Sequence, residues 1–129
     1  MTIPRVLWSL LALALLGFAI FESVKHGWLF GGTILAAAIL PDVALIGAFD
    51  PGRPGRLRPS RVAFYNLLHN PWLPVVTMLV GIVFSALAFV AGCAWLLHIA
   101  IDRVAGYGPR EPDGSIRSAH RAAAGSVAR

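Results

Sequence analysis

Residues 62–101 read VAFYNLLHNPWLPVVTMLVGIVFSALAFVAGCAWLLHIAI, forty consecutive residues without an Asp, Glu, Lys or Arg. At a helical rise of about 1.5 Å per residue this is roughly 60 Å of helix, twice the roughly 30 Å hydrocarbon core of a bilayer. The stretch therefore predicts two crossings. Length alone places their junction near Gly81 to Ser85, because no strongly polar turn interrupts the run. The other division makes an interfacial segment up to Asn70 and one long span after it, which puts the C-terminal tail across the membrane from the arginine-rich loop.

Upstream, two further apolar stretches follow the same pattern. The first span is expected over residues 6–24, with Glu22, Lys25 and His26 at its far end and Gly27 at the turn. The second is expected over residues 28–49, with Trp28 as an interfacial anchor and Pro41 inside it. A proline there removes one helix hydrogen bond and frees the carbonyl of Ala37. Residues 50–61, DPGRPGRLRPSR, carry three prolines, two glycines and four arginines, and read as a solvated basic loop. The third and fourth spans then run over 62–81 and 84–102. The fold expected is an all-α integral membrane four-helix bundle over residues 1–108, followed by a flexible cytoplasmic tail over 109–129.

Composition agrees with that class. The chain has 129 residues, is 57% hydrophobic and only 13% charged, with a mean hydropathy of +0.73. A soluble domain of this size would need far more polar surface. The net charge of +5 would suggest nucleic acid in a soluble protein, but no basic patch interleaved with aromatics is present, and no nucleic-acid partner is expected. Arg5 followed by residues 6–21 also has the outline of a signal peptide, with Gly17 and Ala19 near a cleavage position; the small-residue rule is met imperfectly, and span one is read as retained. The single cysteine, Cys93, excludes an internal disulfide.

Charge settles the topology. With four spans, Arg5, the arginines at 53, 56, 58 and 61, and those at 103, 110, 117, 121 and 129 lie on one side, leaving only Lys25 on the other. The positive-inside rule then puts both termini in the cytoplasm of a cell inner membrane.

In this topology, polar residues from three spans come to one depth. Asp42 lies seven residues before the end of span two and His69 seven residues into span three, each roughly 10 Å from the boundary. His98 and Asp102 lie near the end of span four. Tyr65 and His69 are four apart, Asn66 and His69 three apart, and His98 and Asp102 four apart, spacings that stack side chains on one helix face. Ionisable side chains within a membrane are expensive and should face the bundle interior. Two imidazoles and two carboxylates suit a divalent metal such as zinc, with Asp42, His69, His98 and Asp102 as candidate ligands. Tyr65 and Asn66 are the candidate catalytic or orienting groups. Pro71 and Pro74 are expected to free the carbonyls of Leu67 and Asn70 toward the same site. The plainer interpretation is a network that only hydrogen-bonds helix to helix.

These motifs, Pro41-Asp42, Tyr65-Asn66 with His69, Pro74, and His98-Ile99 with Asp102-Arg103 and Gly106-Tyr107-Gly108, resemble a bacterial family of four-span membrane proteins known as domain of unknown function 4260. Its pattern runs PD, YNxxH, a proline, and HIxxDRxxGYG. The resemblance covers roughly residues 28 to 120. It implies an integral membrane protein and brings no established activity. The chain departs from the pattern at Pro109-Arg110, where Leu-Lys is usual, and at Ser9, where the family has an acid nearby. A more distant likeness is to membrane-bound metal-dependent hydrolases, which also combine Pro-Asp with His and HxxxD elements.

The function expected is a metal-dependent, hydrolase-like site acting on a lipid or membrane-proximal substrate. The alternatives are a non-enzymatic accessory or scaffold protein and an ion or proton pathway. The partners expected are the lipid bilayer and, for the last two readings, a second copy of the chain or another membrane protein.

Overall fold

The computed structural model describes residues 2–117. It is all-helical apart from two isolated antiparallel bridges, and four helical stretches are long and apolar enough to cross a membrane: Ile3–His26, Trp28–Leu45, Pro59–Phe84 and Ala86–Ala105. The chain is a multi-pass membrane four-helix bundle.

The stretches resolve into five α-helices and one tighter turn. Helix α1 is Ile3–His26, α2 is Trp28–Ile39, and a 3₁₀ helix follows over Leu40–Leu45. Helix α3 is Pro59–Leu68, α4 is Trp72–Phe84 and α5 is Ala86–Ala105. Helix α5 is the hub and packs against α1, α2 and α4, while α3 packs on the 3₁₀ helix. Gly92, Cys93, Ala94 and Ala100 are buried on α5, and small side chains at these positions let neighbouring backbones approach.

The break in the forty-residue run comes at Ser85. Its backbone is extended, and its hydroxyl accepts the Ala88 N–H at 3.3 Å, so a serine cap supplies the turn signal. Helices α4 and α5 then fold into an antiparallel hairpin. A Cβ at Gly81 would collide with the backbone of Phe89, and one at Gly92 would stand 2.7 Å from Met78 Cγ.

Span two departs from the expected continuous helix to Phe49. Pro41 tightens it into the 3₁₀ helix, which ends at Leu45, and Gly47 turns the chain with φ of 63°. Span three begins earlier than residue 62, because Pro59 occupies the first turn of α3, where a missing N–H costs nothing. It also breaks at residues 69–71, since Pro71 disfavours helical backbone at Asn70. The Asn70 Oδ1 caps the new start by accepting the Trp72 N–H at 3.0 Å.

The basic loop is more structured than its composition suggests. Leu57 is fully buried with Ala44, Ala48, Val62 and Tyr65, Phe49 pairs with Leu57 in an antiparallel bridge, and the Arg58 N–H donates to Ala48 at 2.8 Å. The first residues of the expected tail fold back onto this loop. Leu57 N–H donates to the Gly114 carbonyl at 3.1 Å, and Arg56 meets Asp113 at 2.9 Å. Residues 118–129 of that tail, His120 included, lie outside the described residues. The N-terminus, the loop and residues 106–117 gather at one end, where Arg5 approaches Gly106.

Candidate metal centre

Four ligand-type atoms from three parts of the chain meet near this end. Pro41 sets the 3₁₀ turn that carries Asp42. His69 caps the C-terminus of α3, and His98 and Asp102 stand one turn apart on α5. His98 Nε2 lies 3.4 Å from Asp42 Oδ1, 3.4 Å from Asp102 Oδ2 and 3.4 Å from His69 Nε2. His69 Nε2 lies 3.4 Å from Asp102 Oδ2 and 3.8 Å from Asp42 Oδ1. Asp42, His69 and His98 form a mutually close trio of donors able to hold a metal ion, and Asp102 touches both imidazoles.

These separations discriminate between chemistries. A hydrogen bond between N and O lies at about 2.7–3.2 Å. Donors about 2.0–2.1 Å from a tetrahedral zinc ion stand about 3.3–3.4 Å from one another. The imidazole–imidazole, His98–Asp42 and imidazole–Asp102 separations of 3.4 Å are short enough for a shared ion, and His69–Asp42 is wider at 3.8 Å.

His69 Nδ1 lies 2.9 Å from the Tyr65 carbonyl, so Nδ1 carries the proton and donates it. In the neutral ring, Nε2 is then a bare acceptor aimed at the cluster. It has no proton to offer Asp42 or Asp102. His98 makes a looser contact with the backbone of Ala38.

Burial is graded across the site. His69 is 4% exposed as a side chain, His98 11%, Asp102 23% and Asp42 50%, so the imidazoles form the floor and Asp42 the mouth. A cleft of about 250 Å³ opens on the carboxylates of Asp42 and Asp102, with Tyr65, Tyr107 and Arg110 on its walls.

Tyr65 is buried, and its ring stacks on His69 with centroids 4.0 Å apart and planes 18° from parallel. Asn66 turns to the tail: its Nδ2 donates to the Arg110 carbonyl at 3.0 Å, and its Oδ1 accepts the Arg110 N–H at 2.8 Å. The expected proline-freed carbonyls do not line the site. Leu67 accepts from Asn70 at 3.3 Å and Asn70 from Leu73 at 3.3 Å, because the break at Pro71 re-pairs them locally. The Leu68 carbonyl takes the Trp95 indole N–H at 2.7 Å. Glu22 and His26 pair at 3.3 Å at the far end of α1.

Arg110 escaped the sequence reading, where it counted only as one of many basic residues. It is 5% exposed. Its guanidinium stands 5.4 Å over the Tyr65 ring and donates to the carbonyls of Gly55 and Gly114 at 2.9 and 3.1 Å. The readable signal was the preceding Gly106, whose φ of 94° ends α5 and turns the chain back.

The chain matches the family described as Domain of unknown function (DUF4260) over residues 7–120. It belongs to that family. Comparison with curated proteins and with solved structures gives no significant match. Of the residues that carried the resemblance, Asp42, His69, His98 and Asp102 converge in the cluster although Asp42 and Asp102 lie sixty positions apart in the DUF4260 chain, while Asn66 turns to the returning segment.

Proposed function

We propose that this DUF4260 protein binds a divalent metal through Asp42, His69, His98 and Asp102, and uses it in hydrolysis of a lipid or membrane-proximal substrate. The observation that carries the reading is the set of 3.4 Å separations among His69 Nε2, His98 Nε2 and Asp102 Oδ2, with Asp42 Oδ1 3.4 Å from His98 and 3.8 Å from His69.

A zinc-type ion held there would supply Lewis-acid chemistry suited to hydrolysis. The chain's own residues would do the remaining work. Tyr65 fixes the His69 ring by stacking and, through its carbonyl, selects the tautomer. Asn66 holds the backbone of Arg110, whose guanidinium borders the cleft and would attract an anionic substrate group. Asp42, half exposed at the mouth, is the ligand that solvent or substrate would meet first. The arginine-rich end would face the cytoplasm of the inner membrane.

Elemental analysis of the purified full-length protein tests the proposal. About one metal ion per chain is expected, falling to background in His98→Ala. Substoichiometric metal that the substitution leaves unchanged removes it. Reporter fusions to each terminus test the orientation.

A further inference from the structure

A second cavity, larger than the cleft at the cluster, lies between the start of α1 and the end of α5. It measures about 710 Å³ and is lined by Arg5, Trp8, Arg103, Tyr107 and Arg117 among others. Among the described residues no carboxylate lines it. Two of its arginines have contacts already: Arg103 Nη2 donates to the His69 carbonyl at 3.4 Å, and Arg117 pairs with Glu111 at 3.0 Å. Three arginines line this one space, bordered by a Trp and a Tyr of the kind that settle at headgroup level.

Further along the same two helices, toward the membrane interior, lies an apolar groove of about 340 Å³. Leu13 and Leu16 of α1 face Leu97, Ile101 and Val104 of α5 across it. The two spaces adjoin along the sequence on both helices: Trp8 lines the upper and Ser9 the lower, and Arg103 lines the upper and Val104 the lower. The sequence of surfaces, from the solvated end inward, is cationic, aromatic and then aliphatic.

We infer that the Arg5–Arg103–Arg117 cavity and the groove below it form one binding site for an anionic phospholipid. The phosphate lies among the arginines and an acyl chain lies between α1 and α5. Arginine suits a phosphate because its planar fork donates two parallel hydrogen bonds. A free phosphate would use the upper cavity alone, whereas the groove gives a lipid its additional purchase. The site needs no metal. It lies near the cluster, however, since Arg103 and Arg117 also line a separate cavity that reaches Asn66 and His69.

Native mass spectrometry of the full-length protein tests this, with dioleoyl phosphatidylglycerol, dioleoyl phosphatidylcholine and inorganic phosphate as probes. Phosphatidylglycerol is expected to be retained over phosphatidylcholine by about fivefold or more, and Arg5→Gln to weaken it by about fivefold, the worth of one basic residue at a charged headgroup. Arg5 lies in the first turn of α1, where its guanidinium approaches Gly106, and a thermal midpoint equal to that of the wild type checks that this variant keeps the fold. Ser9→Phe, which obstructs the head of the groove, is expected to weaken phosphatidylglycerol while leaving inorganic phosphate unaffected. Equal retention of the two lipids overturns the inference, as does phosphatidylglycerol binding indifferent to both substitutions. Efficient competition by inorganic phosphate would identify a site for the free anion and would also overturn it. Retention is expected to survive chelator treatment, which separates this result from the fate of the metal reading; loss of lipid with the metal would mean that the cluster holds it.

Discussion

His69 and His98 face each other through their Nε2 atoms at 3.4 Å, one from the end of α3 and the other from the middle of the central helix. Because the opposite nitrogen of His69 donates to the Tyr65 carbonyl, a neutral His69 offers its partner only a lone pair. The two carboxylates beside these imidazoles would favour a cation held among the four groups. Zinc should therefore raise the thermal midpoint of protein stripped with a chelator. At a hundredfold excess over Kd the stabilisation is about 2.7 kcal/mol. Asp102→Asn, which keeps the shape and removes a charge, should diminish the shift. Equal midpoints with and without zinc in the wild type would argue for a metal-free cluster.

Acid should release the metal, because imidazole ligands must be neutral to coordinate. Protons compete with the ion for both Nε2 atoms, so occupancy is complete near neutrality and falls as pH drops below the ordinary imidazole range of about 6.5. Metal retained after dialysis over a pH series would show this. A midpoint unchanged between wild type and His69→Gln would place the acid-sensitive group elsewhere.

Outside the membrane spans, Asp50 fastens the basic loop. Its carboxylate accepts the Gly52 N–H at 2.9 Å and meets Arg53 Nε at 2.9 Å, and these contacts hold its pKa below the usual carboxylate range. A depressed folded-state value means the contribution is present above the unfolded-state pKa and is lost as pH falls through the folded one. Hydrogen exchange at Gly52 should accelerate in Asp50→Asn at neutral pH. The difference from wild type should vanish in strong acid, where the native carboxyl is itself protonated. Because the pair lies in a surface loop with Arg53 exposed, global stability should change little.

The four spans, the shared end of the arginine-rich segments and the convergence of Asp42, His69, His98 and Asp102 were legible because hydropathy, charge and helical spacing are local signals. Ser85 was legible in retrospect: a serine three residues before a free N–H is a cap, but forty uncharged residues masked it. The 3₁₀ helix after Pro41 and the re-pairing around Pro71 were not, since a proline specifies which hydrogen bond is lost and not which replaces it. Arg110 and Leu57 were hidden for another reason. Both lie in stretches whose composition reads as solvated, and both are buried by contacts between segments more than fifty residues apart, Arg110 with Gly55 and Leu57 with Gly114.

Asn66 should prove to be the latch between the bundle and the returning chain. Its amide satisfies both the N–H and the carbonyl of Arg110, a pair of contacts worth about 1–3 kcal/mol together. Asn66→Ala should lower the thermal midpoint and expose residues 109–117 to protease. Asn66→Asp should restore little, since a carboxylate accepts from the Arg110 N–H but cannot donate to its carbonyl. Metal content is expected to survive both changes, because Asn66 does not point at the cluster. Parallel loss of metal and protease resistance would mean that the returning segment holds the ligands in place.

Gly92 provides the most direct check on the helix hairpin that places His98. A Cβ there would stand 2.7 Å from Met78 Cγ, 2.9 Å from Met78 N and 2.9 Å from the Pro74 carbonyl. The methionine side chain can move, but the two backbone atoms can do so only if α4 shifts away from α5. Overpacking of this kind costs about 1–3 kcal/mol. Gly92→Ala should therefore be strongly destabilising, whereas Gly17→Ala on α1, where a Cβ meets nothing within 4 Å, should be neutral or slightly stabilising. Displacement of α4 would also pull His69, which precedes it, away from His98 on α5, so Gly92→Ala should lose metal affinity without changing a ligand. Full metal occupancy in a destabilised Gly92→Ala protein would show that the cluster is held from the α3 side alone, through Tyr65 and its packing on the 3₁₀ helix.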